Sequence, residues 1–225
     1  MAKFAIEKIR TPKGIAEWVT ITGEGKENLS GKLQYVANLV GEQTDENISG
    51  LKAKIEEFWE ANKPKGFRRK PKSLGWYYHE KLKDDEGNPL EDDEGNPVFN
   101  KEGKIYFAFK TGTTMPKGNK KIIKTYNAKA KQVHLGDTAI GNGSVVQISG
   151  AMGIYTSSGP GGKIIDAGVT LYLDAIQIHK LVEYSEDAGF DASDDEDAFT
   201  GDDTFEGDDG DSGTEQTDST TKPRL

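Results

Sequence analysis

The sequence predicts a mainly β domain with one amphipathic helix, followed by a disordered acidic tail. Several segments alternate apolar and polar residues with the period of a strand, and one segment repeats apolar residues with the period of a helix. The last 43 residues carry dense negative charge and almost no aliphatic side chains, so they cannot bury enough surface to offset the chain entropy of folding. We therefore assign residues 1–182 to the folded domain and residues 183–225 to the tail.

The clearest strand pattern lies in GKLQYVANLVG. The residues that share one side of this strand are Leu33, Tyr35, Ala37 and Leu39, alternating with Gln34, Val36 and Asn38. Further segments of this kind lie at 14–22, 104–111, 144–155 and 167–179, with a looser basic one at 120–128. The sequence thus predicts five or six strands.

The helix is predicted in DENISGLKAKIEEFWEANKPKG. The apolar residues at helical spacing on one face are Ile48, Leu51, Ile55, Phe58 and Trp59. Asp45 is a suitable N-cap, and Pro64 with Gly66 ends the helix. The sequence therefore predicts one amphipathic helix.

The charge of the chain is unevenly distributed. The whole chain of 225 residues has a formal charge of −9, but residues 183–225 hold 16 acidic residues and two bases, which leaves a body of charge +5. A basic body with an acidic tail points towards nucleic acid as a partner. The chain has no cysteine, which excludes a disulfide scaffold, a cysteine nucleophile and a cysteine-rich zinc finger.

No membrane partner is expected. The apolar stretches are far shorter than the roughly 20 residues of a membrane-spanning helix, and the N-terminus lacks the apolar region of a signal peptide. We expect a soluble intracellular protein.

An exact duplication, DDEGNP, occurs at 84–89 and again at 92–97. Its acidic residues raise the possibility of calcium, but neither copy has the glycine position and alternating ligands of an EF-hand loop. We interpret residues 84–97 as a hairpin insertion with a turn in each copy.

Catalysis has little support in the sequence. The segment GTTMPKGNKK lacks the spacing of a phosphate-binding loop, and the three histidines are far apart. A metal-dependent nuclease needs clustered carboxylates, whereas Asp137, Asp166 and Asp174 lie on different segments. The sequence predicts no catalytic residue, no metal site and no cofactor.

Two basic segments indicate nucleic-acid binding. Residues 63–83 contain eight lysines or arginines with aromatic residues between them, and residues 117–131 contain six lysines and no acid. Cations can follow phosphates while flat rings accept unstacked bases. The alternative is that these are solvated basic loops above buried aromatic residues.

Strand 104–111 strengthens the nucleic-acid hypothesis. The residues predicted on its buried side are Ile105, Phe107 and Phe109, and those on its other side are Lys104, Tyr106, Ala108 and Lys110. Packing against a core explains only the apolar side of this strand. The second side presents a ring between two ammonium groups, which suits base stacking with phosphate contacts beside it.

Several segments in order resemble a known family. They are GIAEWVTIT, GKLQYVANLVG, EEFWEANK, GWYYHEK, IYFAFKTGTTM, IGNGSVVQISGAMGIYTSS and GVTLYLDAIQIHKLVEY, followed by the acidic tail. In this order they resemble the single-stranded-DNA-binding proteins of tailed phages. The most specific part runs from Gly141 to Tyr184 and includes an aromatic strand end at Tyr155.

The resemblance implies an OB fold, a five-stranded Greek-key barrel with a helix between strands, and a cleft that stacks bases and binds phosphates. It implies non-catalytic, sequence-nonspecific binding and protection of single-stranded DNA in phage replication, recombination or repair, in the host cytoplasm. It also implies that the tail competes with DNA and recruits replication proteins such as a polymerase or a helicase–primase. Whether the protein forms a homo-oligomer stays open.

The tail departs from the family pattern at its end. It finishes in STTKPRL, without the terminal aromatic residue common in such tails. The aromatic contacts with partners are therefore assigned to Phe190, Phe199 and Phe205.

The residues predicted to contact DNA are Tyr106, Lys104, Lys110, Trp76, Tyr77, Arg68, Arg69, Lys124, Tyr126, Tyr155 and Lys163. In this prediction the rings stack on bases and the cations hold phosphates. The alternative function is a structural or protein-interaction module, such as a virion or scaffold component with a solubilising acidic tail.

Overall fold

A computed structural model describes residues 5–136 and 138–183. Its elements, in chain order, are β1 (Ile6–Arg10), β2 (Gly14–Thr20), β3 (Lys26–Glu27), β4 (Leu33–Glu42), α1 (Glu46–Asn62), β5 (Trp76–Tyr78), β6 (Lys104–Gly112), β7 (Lys124–Tyr126), β8 (Gln132–Val133), β9 (Val145–Ser158) and β10 (Ile164–Lys180). The prediction of a mainly β fold with one amphipathic helix is confirmed. The predicted tail, with Phe190, Phe199 and Phe205, lies outside the described residues.

Five strands pair in a ring. Strand β2 pairs with β4, β4 with β6, β6 with β10, β10 with β9, and β9 again with β2. All these pairs are antiparallel except β6 with β10. This is the five-stranded Greek-key ring of an OB fold, as predicted. The ring is held weakly at two junctions, β2–β9 and β6–β10, where only two residue pairs are in register.

The core fills the inside of this ring. Its largest fully buried side chains include Tyr35 on β4, Phe107 and Phe109 on β6, Met152 on β9 and Leu171 on β10. On β4, β6 and β10 these residues alternate with exposed or half-buried neighbours, as a sheet with one buried face requires, whereas on β9 the neighbours of Met152 are buried as well. The predicted alternation of β6 is therefore confirmed, as is that of β4 from Tyr35 to Leu39. Leu33, predicted on the buried side, is 45% exposed because it is the first residue of the strand.

Four strands were not predicted. Strands β3 and β8 have only two residues each, and β1 at an edge of the sheet buries only Ile9. Strand β5 has the sequence WYY, in which every residue is aromatic, so no alternation marks it. Such short or uniform segments carry no detectable period.

Helix α1 follows the predicted pattern closely. The carboxylate Oδ1 of Asp45 accepts hydrogen bonds from the backbone N–H of Asn47 and Ile48, at 2.7 Å and 3.4 Å. The five predicted apolar residues are its buried ones. The ring of Trp59 also meets Phe67 edge to face at 5.9 Å, which fixes the start of the basic segment after the helix. No helix in residues 5–136 and 138–183 is long and apolar enough to cross a membrane.

Each copy of the duplicated segment forms a turn. In the first copy, Asp84 Oδ1 accepts the backbone N–H of Asn88 at 2.8 Å and of Glu86 at 3.0 Å; Asp92 does the same in the second copy. The N–H of Asn88 holds the pKa of the Asp84 carboxyl below its usual value. These Asp side chains are therefore used to close turns.

The turn from Asn127 to Lys131 has the same hydrogen bonds but places an alanine where the duplicated turns have glycine. Ala130 has φ +57°, whereas Gly87 and Gly95 hold the equivalent left-handed position. We expect Ala130→Gly to raise the free energy of unfolding by about 0.5–1 kcal/mol, because the left-handed conformation costs alanine about 1–2 kcal/mol and glycine is favoured there. Urea unfolding measures this change. In Ala128→Gly, a matched change in the same turn without a positive φ, stability should not rise.

Candidate nucleic-acid interface

Strand β6 places Tyr106 on the outer face of the sheet. Ile105, Phe107 and Phe109 are buried, while Tyr106 is half-buried and Lys110 is exposed. The sequence predicted this assignment of the two sides. The outer side of β6 is therefore available to a ligand.

A second tyrosine lies against Tyr106. Tyr77 on the edge strand β5 is directly opposite Tyr106 in register, and the two rings stack at a centroid distance of 5.1 Å and an angle of 23°. The hydroxyls of Tyr77 and Ser73 are hydrogen-bonded at 2.6 Å. Tyr77 remains 39% exposed. Because the pair is fixed by stacking and by this hydrogen bond, it offers a preorganised aromatic surface.

Tyr155 approaches the same cluster from β9. It faces outwards opposite Gly168 on β10, where an added Cβ would lie 2.7 Å from the Tyr155 ring. Burial raises the pKa of Tyr155, and the nearby Asp166 and Tyr77 raise it further. Glycine at 168 thus lets the Tyr155 ring lie close to the neighbouring strand.

The phenols of Tyr106 and Tyr155 stay uncharged at neutral pH. Burial raises the pKa of Tyr106 above its ordinary value of 10.0, with a further contribution from Tyr77. The pKa of Tyr155 is raised in the same direction. Neutral phenols do not repel a phosphate, and their hydroxyls can donate hydrogen bonds.

Lysines line the cleft beside the stacked tyrosines. The cleft has a volume of about 520 Å³. Its basic residues are Lys70, Lys72 and Lys81, and none of the described residues that line it is a carboxylate. An apolar aromatic wall with ammonium groups at its rim matches a nucleotide, which has a flat base and an anionic phosphate.

Basic residues of the segment before β5 lie beside the start of β10. The guanidinium of Arg69 donates to the carbonyl of Ile165 at 3.2 Å, and the N–H of Lys72 donates to the carbonyl of Ala167. Lys163 is exposed in the loop between β9 and β10, two residues before Ile165, and Arg68 is exposed next to Arg69. Arg69 and Lys163 thus converge near one end of the cleft.

Solved structures of other proteins share this fold. No family model and no curated protein matches the chain. Among solved structures, the single-stranded-DNA-binding protein gp2.5 encoded by bacteriophage T7 matches with a TM-score of 0.51 and 18% identity, covering 85% of this chain and 100% of that one. A C-terminally truncated single-stranded-DNA-binding protein from bacteriophage Enc34 matches with a TM-score of 0.50 and 12% identity, covering 78% and 87%. The chain has the fold of these phage single-stranded-DNA-binding proteins.

On this phage-type OB fold, Trp76 lines the same cleft as Tyr77 and Tyr106 but does not stack on them. Trp76 pairs in register with the buried Phe107 and packs against the core. Its ring meets Tyr78 edge to face at 5.4 Å, and the Lys52 ammonium lies 4.3 Å from its centroid. Trp76 and Tyr77 are adjacent on a strand, so only one of them can share the outer face with Tyr106. Trp76 therefore does not share the outer face with Tyr106, and its contact with DNA stays a prediction.

Lys104 lies among carboxylates. Its Nζ is 3.9 Å from Glu42 Oε1 and 3.9 Å from Glu80 Oε1. Nearby, His79 Nε2 and Glu17 Oε2 are 2.9 Å apart, and the His79 ring meets Tyr106 edge on at 6.2 Å. This end of β6 is partly acidic, which opposes phosphate binding there, and the contact of Lys104 with DNA stays a prediction.

Lys124 and Tyr126 lie away from the tyrosine cleft. Lys124 lines a different cavity, together with Lys120. Tyr126 lines another, with Arg10 and Gln177. Both residues belong to β7, which pairs with β10 at residues 175–177, further along the same edge of β10 than the point where β6 pairs with it. The two basic segments of the sequence therefore do not form one site.

Sequence analysis missed some residues of this face. Tyr172 on β10 is 38% exposed and lies in register with Lys110 of β6. The alternation of Leu171, Tyr172 and Leu173 could have revealed it. Lys70, Lys72 and Lys81 were inside the predicted basic segment, but no pattern distinguished them from its other cations.

Proposed function

We propose that this protein binds single-stranded DNA without sequence specificity and protects it, with no catalytic step. The observation that carries the proposal is the stacked pair of Tyr77 and Tyr106 in a lysine-lined cleft. Rings that stack on the faces of bases accept every base, because each base has a π face. OB folds use the face of their second and third strands and the loop between the fourth and fifth. In this ring those strands are β4 and β6, and that loop contains Lys163.

The similar solved structures support this proposal, because both proteins are described as single-stranded-DNA-binding proteins. We propose that the protein acts in phage DNA replication, recombination or repair in the host cytoplasm. The acidic tail would then contact replication proteins such as a polymerase or a helicase–primase, through Phe190, Phe199 and Phe205.

A titration that compares single strands with duplex tests the function. We expect the full chain to bind a labelled oligo-dT about 5- to 150-fold more tightly than a duplex of equal length, since stacking is worth about 1–3 kcal/mol per base and a paired base is not free to stack. Fluorescence anisotropy at two salt concentrations measures both affinities. Equal affinities would favour the virion or scaffold alternative.

The lysines of the cleft should determine part of the salt dependence. We expect the triple variant Lys70→Ala, Lys72→Ala, Lys81→Ala to bind oligo-dT with a slope of log K against log salt that is less steep by about 2. The reason is that each neutralised phosphate of a single strand contributes a slope of about −0.7.

The control for this variant removes the same charge elsewhere. Lys8, Lys13 and Lys101 are exposed, lie outside the two basic segments and do not line the tyrosine cleft. Their triple replacement by alanine should leave the slope close to that of the wild type. Equal changes in both triple variants would show that only net charge matters.

We propose that the tail is an internal competitor for the phosphate sites. Its 16 acidic residues are tethered to a body of charge +5, so its effective concentration at the cleft is high. Truncation after Val182 should raise the affinity for oligo-dT, most strongly at low salt, where screening is weakest.

Replacing Phe190, Phe199 and Phe205 together by alanine separates the two roles of the tail. The charge is unchanged, so the affinity for DNA should match that of the wild type, while binding to the replication partner is lost. A truncation that lowers DNA affinity would contradict the competitor proposal.

A further inference from the structure

Trp18 is an exposed indole in a strained part of strand β2. It is 65% exposed, whereas Trp59 is buried and Trp76 packs against the core. Its φ is +52°, a left-handed conformation that bulky residues rarely adopt. The register with β4 shifts between Glu17 and Thr20, so Trp18 lies in a β-bulge.

The surrounding structure holds this strained conformation in place. The N–H of Trp18 donates to Oδ1 of Asn142 at 2.8 Å. The N–H of Ala16 donates to the carbonyl of Ser144, and the N–H of Gly143 to the carbonyl of Ala16. The loop before β9 therefore fixes residues 16–18 where β2 separates from β9.

The strain is not offset by burial of the indole. Strained residues persist where neighbouring contacts over-determine them, and they concentrate at ligand-binding sites. A bulge can also redirect a side chain towards such a site. The backbone of Trp18 is strained and its ring faces solvent. A ligand that binds the ring explains both the strain and the exposure.

A basic groove extends from Trp18. Trp18 lines a cavity of about 340 Å³ together with Lys26. This cavity shares Ile21 and Thr22 with the cavity of about 650 Å³ that Lys120 and Lys124 line. None of the described residues that line the two cavities is a carboxylate. The groove thus combines an exposed ring with four lysines, of which Lys121 is paired with Asp174 at 3.5 Å.

The groove and the tyrosine cleft share no lining residue, but the chain connects them at Glu17. Trp18 follows Glu17, whose carboxylate is 2.9 Å from His79 Nε2, and the His79 ring contacts Tyr106. We propose that Trp18 stacks on an unpaired base and that the groove binds a second stretch of the same DNA single strand. Lys26, Lys120 and Lys124 contact its phosphates. This inference rests on the proposed function and extends it to longer strands.

The substitution Trp18→Gly separates a binding role from a structural one. Glycine removes the ring and also relieves the strained φ, so the thermal stability of this variant should equal or exceed that of the wild type. Its affinity for an oligo-dT of about 16 nucleotides should fall about 5- to 150-fold, the effect of losing one stacked base. Its affinity for an oligo-dT of about 4 nucleotides, which the tyrosine cleft alone can hold, should be unchanged.

Leu29→Ala provides the control, since Leu29 is a fully exposed apolar residue that lines neither cavity. It should leave the affinities for both oligonucleotides unchanged. Intrinsic fluorescence gives a second readout: the long oligonucleotide should quench tryptophan emission in the wild type, and Trp18→Phe should remove most of this quenching.

Two outcomes overturn the inference while leaving the proposed function intact. In the first, Trp18→Gly binds the long oligonucleotide as tightly as the wild type does, while Tyr106→Ala loses affinity. In the second, Trp18→Gly loses thermal stability and affinity for both lengths, which would show that Trp18 is structural. If the wild type binds neither oligonucleotide, the proposed function and this inference both fail.

Discussion

Replacing Tyr106 by alanine is expected to weaken the binding of oligo-dT about 5- to 150-fold, with little change in stability. Its ring lies on the outer face and stacks on Tyr77 at 5.1 Å, and loss of a stacked base is worth about 1–3 kcal/mol. Tyr106→Phe keeps the ring and should retain most of the affinity. Anisotropy titrations with thermal unfolding of each variant measure the two effects.

A loss of affinity in Tyr106→Phe equal to that in Tyr106→Ala would assign the effect to the hydroxyl. Unfolding of Tyr106→Ala without a selective loss of binding would show that the two sides of β6 are assigned wrongly. Either result would contradict stacking on this ring.

Replacing the next residue of β6, Phe107, should lower stability and leave DNA affinity unchanged. Phe107 is fully buried and is one of the largest side chains of the core. Phe107→Ala is expected to lower the free energy of unfolding by about 3–5 kcal/mol, because it removes buried apolar surface and leaves a cavity. Denaturant unfolding measures this loss.

Under conditions where the Phe107→Ala variant is still folded, its affinity for oligo-dT should remain close to that of the wild type. The reason is that Phe107 faces the inside of the ring and Tyr106 faces outwards. A large loss of affinity in the folded fraction, with stability unchanged, would contradict the assignment of Phe107 to the core.

The side of β6 that carries Tyr106 could be predicted because its two sides differ in polarity. Residues Ile105, Phe107 and Phe109 are all apolar, so a period of two determines which neighbours face outwards. Helix α1 was equally predictable, since its apolar face and its cap lie in one continuous segment. Patterns of this kind are local and need no information from distant residues.

Strand β5 shows where local patterns fail. All of its residues are aromatic, so the sequence alone does not tell whether Trp76 or Tyr77 faces outwards. The pairing of β5 with β6 determines which side chain faces outwards, because it places Tyr77 opposite Tyr106. Long-range pairing therefore decides which aromatic residue can contact a ligand.

The environment of Lys104 was also beyond local prediction. Its two neighbouring carboxylates, Glu42 and Glu80, come from distant parts of the sequence. Trp18 is a similar case, because a bulge breaks the alternation of β2 at that point. Tertiary contacts determine the charge around Lys104 and the direction in which the Trp18 side chain points.

Photo-crosslinking tests the central claim most directly. An oligo-dT in which single thymines are replaced by 5-iododeoxyuridine is bound to the full chain and irradiated, and the crosslinked tryptic peptides are identified by mass spectrometry. The tyrosine cleft predicts crosslinks in SLGWYYHEK at Tyr77 and in IYFAFK at Tyr106. Crosslinks confined to the segment around Tyr126 and to α1, with none in these two peptides, would contradict it.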